Sequence, residues 1–220
     1  MRQQTRGGGK NMQDKSDEYA LRLSFIEATE PGSLTLARLY LEMATSQHHS
    51  KRDYALSLFD KADQLFASHL PKARDAAIAG LSLSLNNRAA LELDAGQWEW
   101  AIDAASQAVA LRRDRLNGCV GRKDDLERLD LGYSLAALVL AMRGAGQLDL
   151  ARDAAGEAIR ILGRFAGMND QEAFVLLTKL ICIYAELCDD TGQVPDAALL
   201  LPLAKAFYNS KRPQGQDAPL

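Results

Sequence analysis

Apolar positions recur along this chain every three to four residues, the spacing that lines one face of an α-helix. No stretch sustains the every-second-residue alternation of a half-buried strand, so the pattern predicts an all-α protein of about nine helices. Ser16, followed by Asp17 and Glu18, reads as the cap of a first helix through Tyr19, Leu23 and Ile26, which Glu30-Pro31-Gly32 stops. Ser33 caps a second helix bearing Leu36, Leu39, Tyr40 and Met43. Ser50 and Asp53 open a third, with Tyr54, Leu56, Phe59, Ala62 and Phe66 at helical spacing. Pro71 fits the first turn of a long fourth helix reaching about Ala95. Further helices are expected to begin near Gln97, Arg122 and Leu148. Asn169 and Glu172 form an Asn-x-x-Glu variant of the capping box and open the eighth, and Pro195 opens the ninth.

The helices repeat. Ala95-Gly96-Gln97, Ala145-Gly146-Gln147 and Thr191-Gly192-Gln193 are nearly the same turn, with a glycine placed to take the left-handed conformation that ends a helix. Five residues after each glycine stands an alanine, Ala101, Ala151 and Ala197, and an earlier segment without the glycine offers Ala55. These alanines are 46, 50 and 46 residues apart. A recurrence of this length implies four stacked helical hairpins after an N-terminal helix.

The segment from Leu85-Asn86-Asn87-Arg88-Ala89 through Gly96-Gln97-Trp98-Glu99-Trp100-Ala101-Ile102 to Ala108-Val109 resembles a tetratricopeptide repeat. Ala89 stands at the motif's small position on the first helix, Gly96 at its turn, Trp98 at the bulky position, and Ala101 and Ala108 at the small packing positions. Small residues let two helices approach and the bulky ones fill the gaps between them. The next segment matches through Val139, Gly146, Leu148, Ala151 and Ala158, and the last through Ala185, Gly192, Val194, Ala197 and Ala204. The period is longer than the usual repeat of about 34 residues, and the closing proline is missing after Val109 and Ile159. The resemblance implies a right-handed array of antiparallel hairpins, a tetratricopeptide-like α-solenoid. It also implies a groove lined by the first helix of each hairpin, with Tyr40, Asn86, Asn87, Tyr133, Leu140, Lys179 and Glu186 facing a bound peptide or protein segment. Two asparagines in mid-helix, where Asn forms helix poorly, suit that role through amides that can bond a peptide backbone, or else bond a neighbouring helix or lie in solvent. Gripping the carboxylate tail of heat-shock chaperones would need basic residues where Tyr40, Ala44 and Ala137 stand.

Composition sets the remaining bounds. The chain has 220 residues, of which 47% are apolar and 25% charged, close to an average folded domain. Aromatics contribute only 6%, and the Ala- and Leu-rich balance favours helices. A formal net charge of -3 provides no broad attraction to nucleic acid or to an anionic membrane. The longest apolar runs, such as 135–142, are far too short to span a bilayer. Residues 1–15, with Gly7, Gly8 and Gly9, read as a disordered leader without a secretory core, 16–209 as one repeat domain, and 210–220 as a flexible tail. Met12 is an alternative start. Cys119, Cys182 and Cys188 are odd in number and lack zinc-site spacing, which points to buried free thiols in a cytoplasmic protein.

No motif names a nucleophile, a general base or a phosphate loop, so neither enzymatic activity nor a cofactor or metal is expected. His48-His49 reads as a solvated turn, and His69 as a residue capping the end of its helix. Arg112-Arg113-Asp114-Arg115 with Arg122 and Lys123 faces Asp124, Asp125 and Glu127 in sequence, and reads as a solvated junction between helix ends. The C-terminal hairpin is more apolar than an array's end should be. Its eighth helix is apolar nearly all round, which predicts burial. Residues 197–207, broken by Pro202, present Leu199, Leu200, Leu203 and Phe207 as a face for a homodimer or an obligate partner, or else fold back over the preceding hairpin and expose little. The expected function is that of an adaptor binding a peptide or protein. The alternatives are a client-specific regulator or secretion-type chaperone, and a helical small-molecule receptor or enzyme whose site has no recognisable motif.

Overall fold

The computed structural model describes residues 8–47, 51–117, 122–165 and 171–201, and all regular structure among them is helical. The helices are α1 (Gly8–Thr29), α2 (Leu34–Gln47), α3 (Arg52–His69), α4 (Arg74–Asp94), α5 (Trp98–Leu116), α6 (Arg122–Gly144), α7 (Leu148–Leu162) and α8 (Gln171–Asp190). A further helical segment begins at Ala197. The chain groups into two compact units, Met1–Arg88 and Ala89–Leu220, and the boundary falls within α4.

Local chemistry accounts for most of the helix ends. The Ser33 hydroxyl accepts a bond from the Leu36 amide at 3.1 Å, satisfying a donor that the first turn of α2 leaves open. At the three glycine turns the backbone closes in one way. Gly96, Gly146 and Gly192 have φ of 68°, 74° and 68°. Each glycine amide reaches back to the carbonyl three residues earlier (Leu93, Arg143, Asp189), and the following glutamine amide reaches the one five residues earlier (Glu92, Met142, Cys188). This pair of bonds satisfies the last carbonyls of the helix and requires a residue that tolerates positive φ. The starts expected near Gln97, Arg122 and Leu148 agree with α5, α6 and α7.

Three expected starts move. α1 begins at Gly8, so Ser16 lies inside the helix, as does the second half of the expected leader. Pro71 does not open α4. The His69 carbonyl accepts from both Lys72 and Ala73, which holds Pro71 in a turn, and the helix begins at Arg74 with Asp75 in its first turn. In place of Pro195, Asp196 starts the last helical segment, its carboxylate accepting from the Ala198 amide at 2.9 Å. His69 closes α3 as expected, its ring Nδ1 lying 2.9 Å from the Leu65 carbonyl.

In the first unit α2 packs along α3, and α1 lies against α2. Its centre is Leu39, Leu58, Phe59 and Phe66, each almost wholly buried. Each such side chain contributes on the order of 1.5–3 kcal/mol of transfer free energy. In the second unit α5 packs on α6, α6 on α7 and α7 on α8, with α6 also touching α8. Ala89, Ala101, Ala108, Ala151 and Ala158 are fully buried, as is Val139, so small residues stand where helices approach. The pattern lapses at the end of the chain: Ala185 and Ala197 are exposed.

Charged groups also join helices of the second unit, which corrects the solvated-junction reading of the arginine-rich stretch. Arg112 is 4% exposed and bonds Asp130 at 2.7 Å, while Arg115 bonds the buried Glu127 at 2.7 Å. Arg113, which meets Glu157 at 2.6 Å, is about half exposed. Pairing of α5 with α6 brings Arg112 to Asp130 and Arg115 to Glu127.

Candidate functional site

The first unit carries an open groove of about 630 Å³ whose walls are α2 and α4. Arg38, Leu41, Glu42 and Thr45 face it from α2, and Ala76, Ala79, Gly80, Leu83 and Asn87 from α4. Both sets follow the three-and-four spacing of a single helix face. Tyr19 of α1 stands at its edge and Phe66 of α3 at its floor. Its depth follows from residue size. Gly80 lies so close to the Phe66 ring that any β-carbon there would collide with it, and Ala76 and Ala79 keep the adjoining wall low. One turn further, Leu83 remains 45% exposed.

The rim is polar. The Asn87 side-chain amide donates to the Thr45 hydroxyl at 3.0 Å, and that hydroxyl donates to the Leu41 carbonyl at 2.9 Å. Arg22 bridges to Glu42 at 3.6 Å and lies 5.9 Å above the Tyr19 ring. Arg38 is exposed and makes no ion pair among the described residues. An apolar floor with one unpaired cation and an amide at its edge can shelter an apolar segment while orienting its polar groups.

The second unit has its own hollow of about 570 Å³, bounded by Leu93, Trp98, Leu140, Arg143 and Gly144 among others. The Trp98 indole lies flush on Gly144, where a β-carbon would collide with it. Leu140 is 44% exposed there, and Arg143 bonds Glu186 at 2.7 Å.

The expected groove residues are therefore divided. Asn87 lines the first-unit groove and Leu140 the second-unit hollow. Asn86 is half-buried beside Asn87 on α4, outside the groove lining. Tyr40 is not a groove residue: it is 6% exposed, its hydroxyl donates to Glu27 at 2.5 Å, and Lys61 lies 5.2 Å over its ring. It braces α1 and α3 against α2. Burial, then the bond to Glu27 and that carboxylate's charge, push its hydroxyl up to about 12. In the second unit Tyr133 is half-buried on α6, Lys179 is exposed on α8, and Glu186 is held by Arg143. Sequence reasoning missed Arg38, Leu41, Phe66, Gly80 and Leu83. The signal was present in the small residues Ala76, Ala79 and Gly80, spaced along one face of α4.

The C-terminal face is corrected in part. Leu199 is 3% exposed and packs near Gly156 of α7, so it folds back onto its own unit; Leu200 is 38% exposed. Leu203 and Phe207 lie outside the described residues, as do His48, His49 and Cys119. α8 is not buried all round, since Val175, Lys179, Cys182 and Glu186 form an exposed stripe. Cys182 is thus an exposed thiol and Cys188 a buried one. Among the described residues no group of three or more His, Cys, Asp or Glu side chains is placed to hold a metal, and no helix is long and apolar enough to cross a membrane. No protein-family model matches the chain, and neither curated proteins nor solved structures give a match.

Proposed function

We propose that the chain is a recognition module: a tetratricopeptide-like array of antiparallel helical hairpins that takes up a peptide or protein segment in a groove. The observation that carries this reading is the first-unit groove, which combines the uncovered Leu83, small residues on α4 and a polar rim at Arg38, Thr45 and Asn87. Exposed apolar surface in a concave, polar-edged site is the usual form of a peptide groove. The recurring glycine turns and the buried alanines support the array. Binding of this kind uses apolar anchors and a few hydrogen bonds and requires no cofactor.

The test is a displayed library of random peptides selected on the purified full chain, with binders then measured against Leu83→Asp and Asn87→Ala. Both positions are at least partly exposed, so the variants should fold. Binding that is lost in Leu83→Asp and weakened in Asn87→Ala supports the reading, and binders indifferent to both defeat it. A groove of about 630 Å³ also falls within the range of small-molecule sites. An apolar metabolite retained in native mass spectra of the chain, and lost in Leu83→Asp, would favour the receptor reading instead.

A further inference from the structure

We propose that the first-unit groove receives α1 from a second copy of this chain, through the face bearing Glu18, Leu21 and Phe25. This rests on the groove being a site for a protein segment and names its occupant.

α1 has two apolar faces. Tyr19, Leu23 and Ile26 are half-covered, whereas Leu21 and Phe25 are 73% and 68% exposed. A surface helix needs one apolar stripe, and a second calls for something to cover it. On the same unit lies a groove with uncovered apolar surface. Tyr19, on the half-covered face of α1, lines that groove, and the ridge of Leu21 and Phe25 lies on the opposite face of the same helix. A ridge and a groove on one unit can be satisfied reciprocally about a two-fold axis, in which case the contact closes.

The charges complete the match. Glu18 is exposed one turn before Leu21, and Arg38 is exposed one turn before Leu41. Neither makes an ion pair among the described residues, whereas the neighbouring Arg22 and Glu42 already bridge each other at 3.6 Å. Glu18 to Phe25 and Arg38 to Thr45 span equal lengths of helix, about 10 Å. Setting Glu18 against Arg38 thus brings Leu21 beside Leu41 and Phe25 one turn further along the groove.

Sedimentation velocity on the full chain across a wide concentration range tests this, with circular dichroism confirming that every variant folds. The unaltered chain should dimerise. Phe25→Glu and Leu83→Glu should each weaken the dimer by about 30-fold, as loss of a central anchor does. Glu18→Lys or Arg38→Glu alone should weaken it by about fivefold, and the two together should restore it. A chain that stays monomeric throughout overturns the proposal, as does a dimer indifferent to Phe25→Glu and Leu83→Glu. If the chain is monomeric while library peptides still bind in a Leu83-dependent manner, the occupant is wrong and the recognition reading stands.

Discussion

Three helical glycines face bulky side chains, and the freedom of each neighbour to move predicts a graded response to alanine. At an open position in a helix, Gly→Ala should stabilise by about 1 kcal/mol, because alanine loses less conformational entropy. At Gly80 the added methyl collides with the ring of Phe66, which is fully buried and cannot withdraw. At Gly132 it would lie 2.6 Å from Cδ2 of Leu162, which is also fully buried. Overpacking of this kind costs about 1–3 kcal/mol. Net destabilisation at both sites should then reach up to about 2 kcal/mol, a fall in melting temperature of up to roughly 8 °C for a chain of this size. Gly144 differs, because its methyl would lie 2.5 Å from Cε3 of Trp98, which is 38% exposed and can swing outward. Gly144→Ala should stay within about 0.5 kcal/mol of the unaltered chain while shifting the tryptophan fluorescence. Denaturant unfolding followed by circular dichroism measures all three. A second substitution, Phe66→Leu, should make Gly80→Ala less damaging than it is alone, a coupling expected only of groups in contact. Stabilisation by Gly80→Ala, or equal losses at all three glycines, would refute the reasoning.

Alkali should ionise Tyr40 well above the ordinary tyrosine range, near pH 12, in a titration followed at the phenolate absorbance; Tyr40→Phe should delete that step. Since the folded value exceeds the unfolded one of about 10, stability is intact below pH 10 and falls as pH rises towards 12, with a shallower fall in Tyr40→Phe. Asp63 is also raised, chiefly by burial and against the pull of Ser84 and Arg88. An acid raised by folding binds its proton more tightly in the folded state, so its cost to stability appears as pH rises above its unfolded value and is relieved as pH falls. The stability of Asp63→Asn relative to the unaltered chain should therefore increase with pH in urea unfolding over the acid range. Glu127→Gln leaves the Arg115 charge buried without its partner and should cost about 3–5 kcal/mol. Glu157→Gln, across the exposed pair with Arg113, should cost about 1 kcal/mol or less.

Features fixed within a few residues were legible in the sequence, and features fixed by facing helices were not. The glycine turns could be read because a left-handed residue after a helix almost requires glycine, and Gly96, Gly146 and Gly192 all adopt it. Ser33 could be read because its hydroxyl acts three residues away. Pro71 was misplaced because a proline suits both a helix's first turn and the turn before it, and the His69 carbonyl decides between them. The arginines at 112–115 looked solvated because their partners on α6 are brought near only by packing. The groove was half legible: Asn87 was named for its poor helix propensity, whereas Gly80 and Leu83 acquire meaning only once Phe66 is known to lie behind α4. Tyr40 faces the fold instead of the groove, because its hydroxyl finds Glu27 on α1, a contact between helices that spacing along one helix does not give.

The first-unit groove and the packing beneath it have the same origin. A glycine at position 80 lets the Phe66 ring come directly under α4, and it also leaves the wall above that ring low enough to admit a ligand. Leu83, 45% exposed beside Ala79 and Gly80, leaves apolar surface in the groove that a bound segment would cover. Filling the groove and loosening its floor should therefore separate. Leu83→Asp should abolish recognition at nearly unchanged stability, whereas Gly80→Ala should lose stability first and recognition only as far as Phe66 is displaced. Equal losses of stability from the two substitutions would mean that Leu83 belongs to the core and that the groove is an incidental gap between helices.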